Sequence, residues 1–230
     1  FRVMIGDSPG DPLTRPVLER LYSKTGMDAA AAQCGGELCY DTGGETVEPS
    51  GPTSGRRLTI WKPVLEAGAL ISLCKLKTHG LTGLTGAVKN LFGCVPGLLK
   101  TEYHMNQPTV ETFSDALVDI ARFLRPRLTV MDAIIAMEGA GPSHGRPKAV
   151  GLLLGSEDPF ALDYAVARML AVGPEGFTTL AAALRKGCGP QEDGDLTVIA
   201  ADETGSSTAS GQGAVETLRT EADSWNFHAI

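Results

Sequence analysis

The chain has few cysteines, and their spacing excludes the common cysteine-based sites. Five occur in 230 residues, at positions 34, 39, 74, 94 and 188, and none forms a C-x-x-C pair. Ferredoxin clusters and zinc ribbons need such pairs, so the spacing supports neither an iron-sulfur cluster nor structural zinc. An odd, scattered set is typical of reduced thiols, and we therefore expect a cytoplasmic protein.

Signatures of nucleotide, membrane and nucleic-acid binding are also missing. No G-x-x-x-x-G-K-[ST] loop occurs, and no G-x-G-x-x-G follows a strand, which argues against generic nucleotide hydrolysis. The apolar runs are too short to cross a bilayer. The formal net charge of -7 argues against a general nucleic-acid binder, because phosphate backbones are bound by basic faces. We expect no membrane and no nucleic acid as partners.

The most informative stretch lies between Ala69 and Gly97. It begins as a buried strand in which alternate side chains share a face, so Lys75, Lys77 and His79 point the same way. Three basic groups side by side indicate a site for a small anionic ligand, such as a phosphate or a carboxylate.

The second half of this stretch predicts a helix over Thr82–Phe92. Thr82, Thr85 and Lys89 fall on one face of that helix, opposite its apolar face. The helix N-terminus near Thr82 is expected to add oriented backbone donors to the anion site. Two neighbouring lysines are expected to lower each other's pKa, which would prepare one of them as a base or nucleophile.

Two other readings remain open. A metal-dependent enzyme would use His79 or His104 with Asp132, Glu138 or Asp7, although no H-x-x-x-H or H-x-H spacing marks such a site. A non-catalytic module for electron transfer or protein docking would instead present the basic face to an acidic partner.

The order of predicted elements indicates an α/β fold with a mostly parallel central sheet and helices on both faces. We predict a single domain over residues 1–204 with a β-hairpin excursion near 35–52. A Gly/Ser-rich connector and a C-terminal tail are predicted over 205–230. Because the chain opens on Phe1 within an apolar strand, we expect the sheet to be incomplete at its N-terminus.

Several motifs resemble the family named domain of unknown function 362. They are K-L-K-T-H, T-G-A-V-K-N-L-F-G, V-P-G, His104, M-E-G-A-G-P and S-x-D-P-x-A-L-D, within about residues 1–170. The resemblance implies an α/β protein of a family widespread in bacteria and archaea, and the family name supplies no reaction. Some relatives carry a ferredoxin-like cluster domain. Its cysteines are absent here, which leaves a separate ferredoxin-like protein as a partner to test.

The residues and the resemblance together define the candidate site. The family's recurring polar positions fall on Asp7, Lys75, Lys77, Thr78, His79, Lys89, Asn90, Lys100, His104, Asp132, Glu138, Asp158 and Asp163. The catalytic candidates are Lys77, His79, Asp132 and Glu138, with Asp132 or Glu138 as the acid or base. The ligand-binding candidates are Asp7, Lys75, Thr78, Thr82, Lys89, Asn90 and His104. Reaction, metal and cofactor stay undefined.

Overall fold

The structure is a computed structural model that describes residues 2–49, 57–202 and 205–222, without the side chains at positions 104, 202 and 219–222. The strands are β1 Met4–Ile5, β2 Glu37–Leu38, β3 Gly44–Val47, β4 Leu58–Trp61, β5 Ile71–His79, β6 Gly83–Thr85, β7 Leu128–Glu138, β8 Arg146–Ser156, β9 Thr197–Asp202 and β10 Gly205–Ser210. The α-helices are α1 Arg15–Thr25, α2 Met27–Cys34, α3 Lys62–Glu66, α4 Ala87–Asn90, α5 Leu99–Asn106, α6 Val110–Leu124, α7 Pro159–Met169, α8 Thr178–Arg185 and α9 Gln212–Ala222.

The chain divides into two compact units. The first unit comprises residues 1–69 and 91–108, and the second unit comprises residues 70–90 and 109–230, each within the described ranges. In the first unit β1 pairs with β2 in parallel, and β3 pairs with β4 in antiparallel fashion. The excursion predicted near 35–52 therefore differs from the structure, since the antiparallel pair joins β3 to a strand that begins at Leu58. Residues 50–52 of that prediction lie outside the described ranges.

The second unit is built on a four-stranded sheet in the order β6-β5-β7-β8. The predicted mixture of helices and strands is confirmed, but only β5 and β7 pair in parallel here, while β5–β6 and β7–β8 are antiparallel. Short loops cause this difference. The turn at residues 80–82 and the loop at 139–145 can only fold the chain back as hairpins, whereas parallel strands need a long crossover.

One face of this sheet is buried and carries the core of the second unit. Cys74, Leu76, Met131 and Ala133 project from it and pack with residues of α7 and α8, among them Leu162 and Leu180. On the opposite face Leu73 is 72% exposed and Ile71 59% exposed. The predicted cover of helices on both faces is therefore present on one face in this unit. No helix within the described residues is long and apolar enough to cross a membrane.

Local sequence explains the best-defined helices. Thr109 and Thr112 form a reciprocal capping box at the start of α6, and every residue from Ala116 to Ala121 is buried. Asp158 caps α7 by accepting the Phe160 amide at 2.8 Å, with Pro159 in the first turn.

Two segments differ from the predictions. Residues 205–210, predicted as a connector, form β10, which pairs with β9 along its whole length. The helix predicted over Thr82–Phe92 is α4, which begins only at Ala87, and residues 83–85 form β6 instead. Gly83 has φ +76°, and an added Cβ would collide with the backbone of Gly176. Only glycine fits this hairpin.

Candidate functional site

The predicted basic strand face exists in the second unit. Lys75, Lys77 and His79 alternate along β5 with Cys74, Leu76 and Thr78, which are buried. The side chain of Lys75 is 44% exposed, and Lys77 and His79 are half-buried. We call the side of the sheet that carries Leu73, Lys75 and Lys77 the outer face.

Asp132 joins this face through an ion pair. It lies opposite Lys75 in the parallel β5–β7 register, and the Lys75 Nζ donates to Asp132 Oδ2 at 2.7 Å. Asp132 Oδ1 accepts the backbone N–H of Ile134 at 2.9 Å. The bond from Lys75 and the amide of Ile134 lower the pKa of the Asp132 carboxyl. Asp132 is thus an ionised partner of Lys75, and its lowered pKa makes it a weak general base.

His79 is held in one tautomer by the turn that follows it. Its Nδ1 accepts the backbone N–H groups of Leu81 at 3.1 Å and Thr82 at 3.4 Å. A neutral imidazole has one acceptor and one donor nitrogen, so the proton lies on Nε2. His79 therefore carries its N–H donor at Nε2. The same tautomer opposes metal binding through Nε2, because that nitrogen would have to lose its proton.

Thr85, which the predicted helix groups with Thr82 and Lys89, lies on β6 in the structure. It pairs directly with Lys77 across β5 and β6, so the two side chains share a face. Its Oγ1 is buried and has no hydrogen-bond partner within the described parts of the chain. The wrong helix bounds hid the pairing of Thr85 with Lys77, which depends on the strand register.

Two predicted site residues lie on the opposite face of the sheet. Thr78 is fully buried, and its hydroxyl donates to the Gly139 carbonyl at 2.8 Å. Because Lys77 pairs with Met137, the neighbouring Glu138 points away from the outer face. Glu138 Oε1 lies 3.8 Å from Arg146, and its buried Oε2 has no partner among residues the structure describes. The four catalytic candidates are therefore not on one face.

The remaining candidates of this stretch have structural partners. The Thr82 hydroxyl donates to the Leu84 carbonyl at 2.9 Å, inside the hairpin rather than at a helix start. Asn90 Nδ2 donates to Ser72 Oγ at 3.0 Å and to the Leu73 carbonyl at 3.1 Å, which ties α4 to β5. Lys89 is half-buried on α4.

The helix N-terminus that was expected to bind the anion is already occupied. Asp163 of α7 accepts the amides of Ala87 at 2.6 Å and Val88 at 3.0 Å. Burial raises the pKa of this carboxyl to about 7, although the two amide bonds act in the opposite direction. Asp163 serves as the cap of α4, while Arg168 pairs with Asp193 at 2.7 Å.

Asp7, Lys100 and His104 belong to the first unit. Asp7 is exposed in the loop after β1. The next residue, Ser8, is bound by Lys100, whose Nζ donates to the carbonyls of Ser8 at 2.5 Å and Val95 at 2.6 Å. Burial lowers the pKa of Lys100 to about 8. The His104 side chain lies outside the described residues, so its predicted role stays a prediction.

A model of one protein family matches residues 1–168, more than half of the chain, and is described as domain of unknown function (DUF362). The chain belongs to the DUF362 family. The matched part of this DUF362 chain includes β5, α4, Asp132, Lys100 and Asp163. The resemblance seen in the sequence motifs is thus confirmed.

One curated relative gives a second comparison. The DUF362 chain is 42% identical over 134 residues to a thylakoid-associated protein of Synechocystis sp.. This match covers 58% of the chain and 42% of the relative, so the chain spans less than half the length of the curated relative it matches. No solved structure matches the chain significantly. The family and the relative's name supply no reaction.

Proposed function

We propose that this DUF362 chain binds a small anionic ligand, a phosphate or a carboxylate, at the His79 end of β5. The observation that carries the proposal is the shared strand face of Lys77 and His79, with the Nε2 N–H of His79 as the donor. Oriented N–H donors beside an ammonium are the groups that bind anionic oxygens most strongly.

The charges on this face argue for a ligand of low charge. Asp132 neutralises Lys75 through their 2.7 Å contact, which leaves the Lys77 ammonium as the positive charge nearest His79. A carboxylate, or a phosphate held through one edge, matches one ammonium and one neutral donor.

Acid–base catalysis is a weaker part of this proposal than binding. Asp132 is committed to Lys75, and Glu138 points to the other face. A metal-dependent enzyme is disfavoured by the His79 tautomer, and a ferredoxin-like or other protein partner stays a hypothesis without a supporting contact. For the location of the protein, our prediction remains cytoplasmic, although the name of the Synechocystis relative associates that protein with thylakoids.

Isothermal titration calorimetry with inorganic phosphate and with succinate tests the site. Lys77→Met should weaken binding about 10- to 100-fold, the value of one charge-assisted hydrogen bond. Lys62→Met is the matched control, because Lys62 makes only a 3.5 Å surface pair with Glu66. We expect it to leave binding unchanged.

Two substitutions of His79 separate its roles. In His79→Asn the side-chain oxygen can still accept the turn amides, as Nδ1 does, but the Nε2 donor is lost. In His79→Gln the side-chain amide can replace the Nε2 donor, but the acceptor for the turn is lost. Anion binding should disappear in the Asn variant and persist, weakened, in the Gln variant. If wild type, Lys77→Met and His79→Asn bind the anions equally well, the anion site does not lie on β5.

A further inference from the structure

The outer face of the sheet is apolar and exposed over most of its area. Besides Ile71 and Leu73, it exposes Leu128 to 37% and Leu153 to 65%, and the bulge of β7 exposes Ile134 to 50% and Ile135 to 53%. These side chains present an area on the order of 600 Å², at the upper limit of the largest apolar patches on ordinary monomers. Patches of this size mark interaction sites.

The strand register gives this face an ordered pattern. One row across the strands is Leu73, Val130 and Gly155, and the next row is Lys75, Asp132 and Leu153. The ion pair thus lies within an aliphatic surface and carries one charge of each sign, with Lys77 further along β5 on the same face. A partner of a single net charge would oppose one member of the pair.

We propose that the outer face binds the same face of a second copy of this chain. A two-fold axis beside the ion pair would bring Lys75 of each copy next to Asp132 of the other, so the charge pattern is complementary to itself. The apolar area approaches the roughly 800 Å² per partner of a stable interface, with the polar rim supplying the rest. Two sheets packed face to face about 10 Å apart would bury both patches.

The free edge of the sheet is a poorer alternative for association. β8 is one of the two edge strands, with the three-residue β6 at the other edge, and β8 contains Pro147 and a bulge-forming Gly151 with φ +82°. Proline and bulges on an edge strand oppose pairing with another strand. The dimer requires the aliphatic residues and the ion pair rather than His79, but Lys77 lies on the same face, so a dimer that covers Lys77 would compete with anion binding.

Sedimentation velocity of the whole chain over a range of concentrations is the first test. We expect a dimer whose dissociation constant rises about 100-fold or more in Leu73→Glu, because two-fold symmetry introduces the charge twice. Ile199→Glu is the matched control, since Ile199 is 69% exposed in the separate β9–β10 sheet. A monomer at every concentration, or equal effects of the two substitutions, would overturn the proposal. So would a monomer that Leu73→Glu destabilises, which would indicate that another segment of the same chain covers the face.

A charge-exchange experiment tests the two-fold arrangement itself. Lys75→Asp and Asp132→Lys should each dissociate the homodimer, because four like charges then meet at the axis. An equimolar mixture of the two variants should form a heterodimer, in which each aspartate faces a lysine across the interface. Circular dichroism confirms that both variants are folded. Folded variants that fail to associate when mixed contradict the arrangement.

Discussion

Asp163 provides a direct test of how α4 is held against α7. The residue is 1% exposed, and its carboxylate accepts the amides of Ala87 and Val88. Asp163→Asn keeps the shape and one acceptor oxygen, but its NH₂ group faces the second backbone N–H as donor against donor. One hydrogen bond is lost and one buried N–H is left unpaired. We expect a loss of about 2–4 kcal/mol in the free energy of unfolding at neutral pH.

The titration of Asp163 also predicts how the free energy of unfolding depends on pH. Burial raises the pKa of Asp163 to about 7 in the folded state, against an ordinary value of 3.8. Above the unfolded pKa the folded protein keeps a proton that the unfolded chain has released, so the stabilising contribution of this group falls as pH rises to about 7, by up to ~1.4 kcal/mol per pH unit. Asp163→Asn has no group that titrates at this position. The free energy of unfolding of wild type should therefore exceed that of Asp163→Asn by an additional amount of about 2 kcal/mol as pH falls from about 7 to 5.

Urea denaturation followed by circular dichroism over this pH range measures both magnitudes. Asp115→Asn is the control, because Asp115 makes a partly exposed pair with Arg185 at 3.0 Å and such pairs contribute little. If the wild-type and Asp163→Asn stabilities change in parallel with pH, the buried carboxyl does not titrate near neutrality and the reasoning fails. A loss at neutral pH no larger than that of Asp115→Asn would show that the cap of α4 is unimportant.

Two further predictions concern the first unit. Lys100→Met should lower the free energy of unfolding by about 2–4 kcal/mol, since the carbonyls of Ser8 and Val95 lose their shared donor. Urea denaturation measures this loss, with Lys62→Met as the control. Equal free energies of unfolding for the two variants would contradict the prediction. Alkylation of the native protein near pH 8 should modify the exposed Cys34 well before Cys94, because burial raises the pKa of the Cys94 thiol to about 12. Peptide mass spectrometry locates the label, and equal rates at both cysteines would refute the difference.

The parts of the site that sequence could predict depend on local alternation. A period of two along β5 was enough to place Lys75, Lys77 and His79 on one face, because a strand has no other arrangement available. The pairing of Lys75 with Asp132 joins residues 57 positions apart, so it was open until the strand register was known. Asp132 was recognised as a strand-end carboxylate, but its partner was not.

Other parts could not be predicted from spacing. The start of α4 depends on Asp163, 76 positions away from Ala87, and no local pattern reports such a cap. When the contact with Asp163 is not known, the apolar residues from Leu84 to Leu91 fit one continuous helix as well as they fit a strand followed by a helix. Glu138 was grouped with Asp132 as a candidate acid or base. The bulge in β7 between Ala133 and Ile135 changes which face the later residues occupy, and a bulge leaves little trace in composition.

The Lys100 contacts have a consequence for the salt requirements of the first unit. Four oxygen atoms, from Ser8, Pro9 and Val95, converge on one ammonium within 3.4 Å. Loop carbonyls that converge in this way commonly surround a potassium or sodium ion. Here the chain supplies that cation as a covalently attached side chain, so below about pH 8 the two proline-containing loops need no dissolved cation. Shortening the side chain to alanine would make the same loops dependent on dissolved ammonium or potassium.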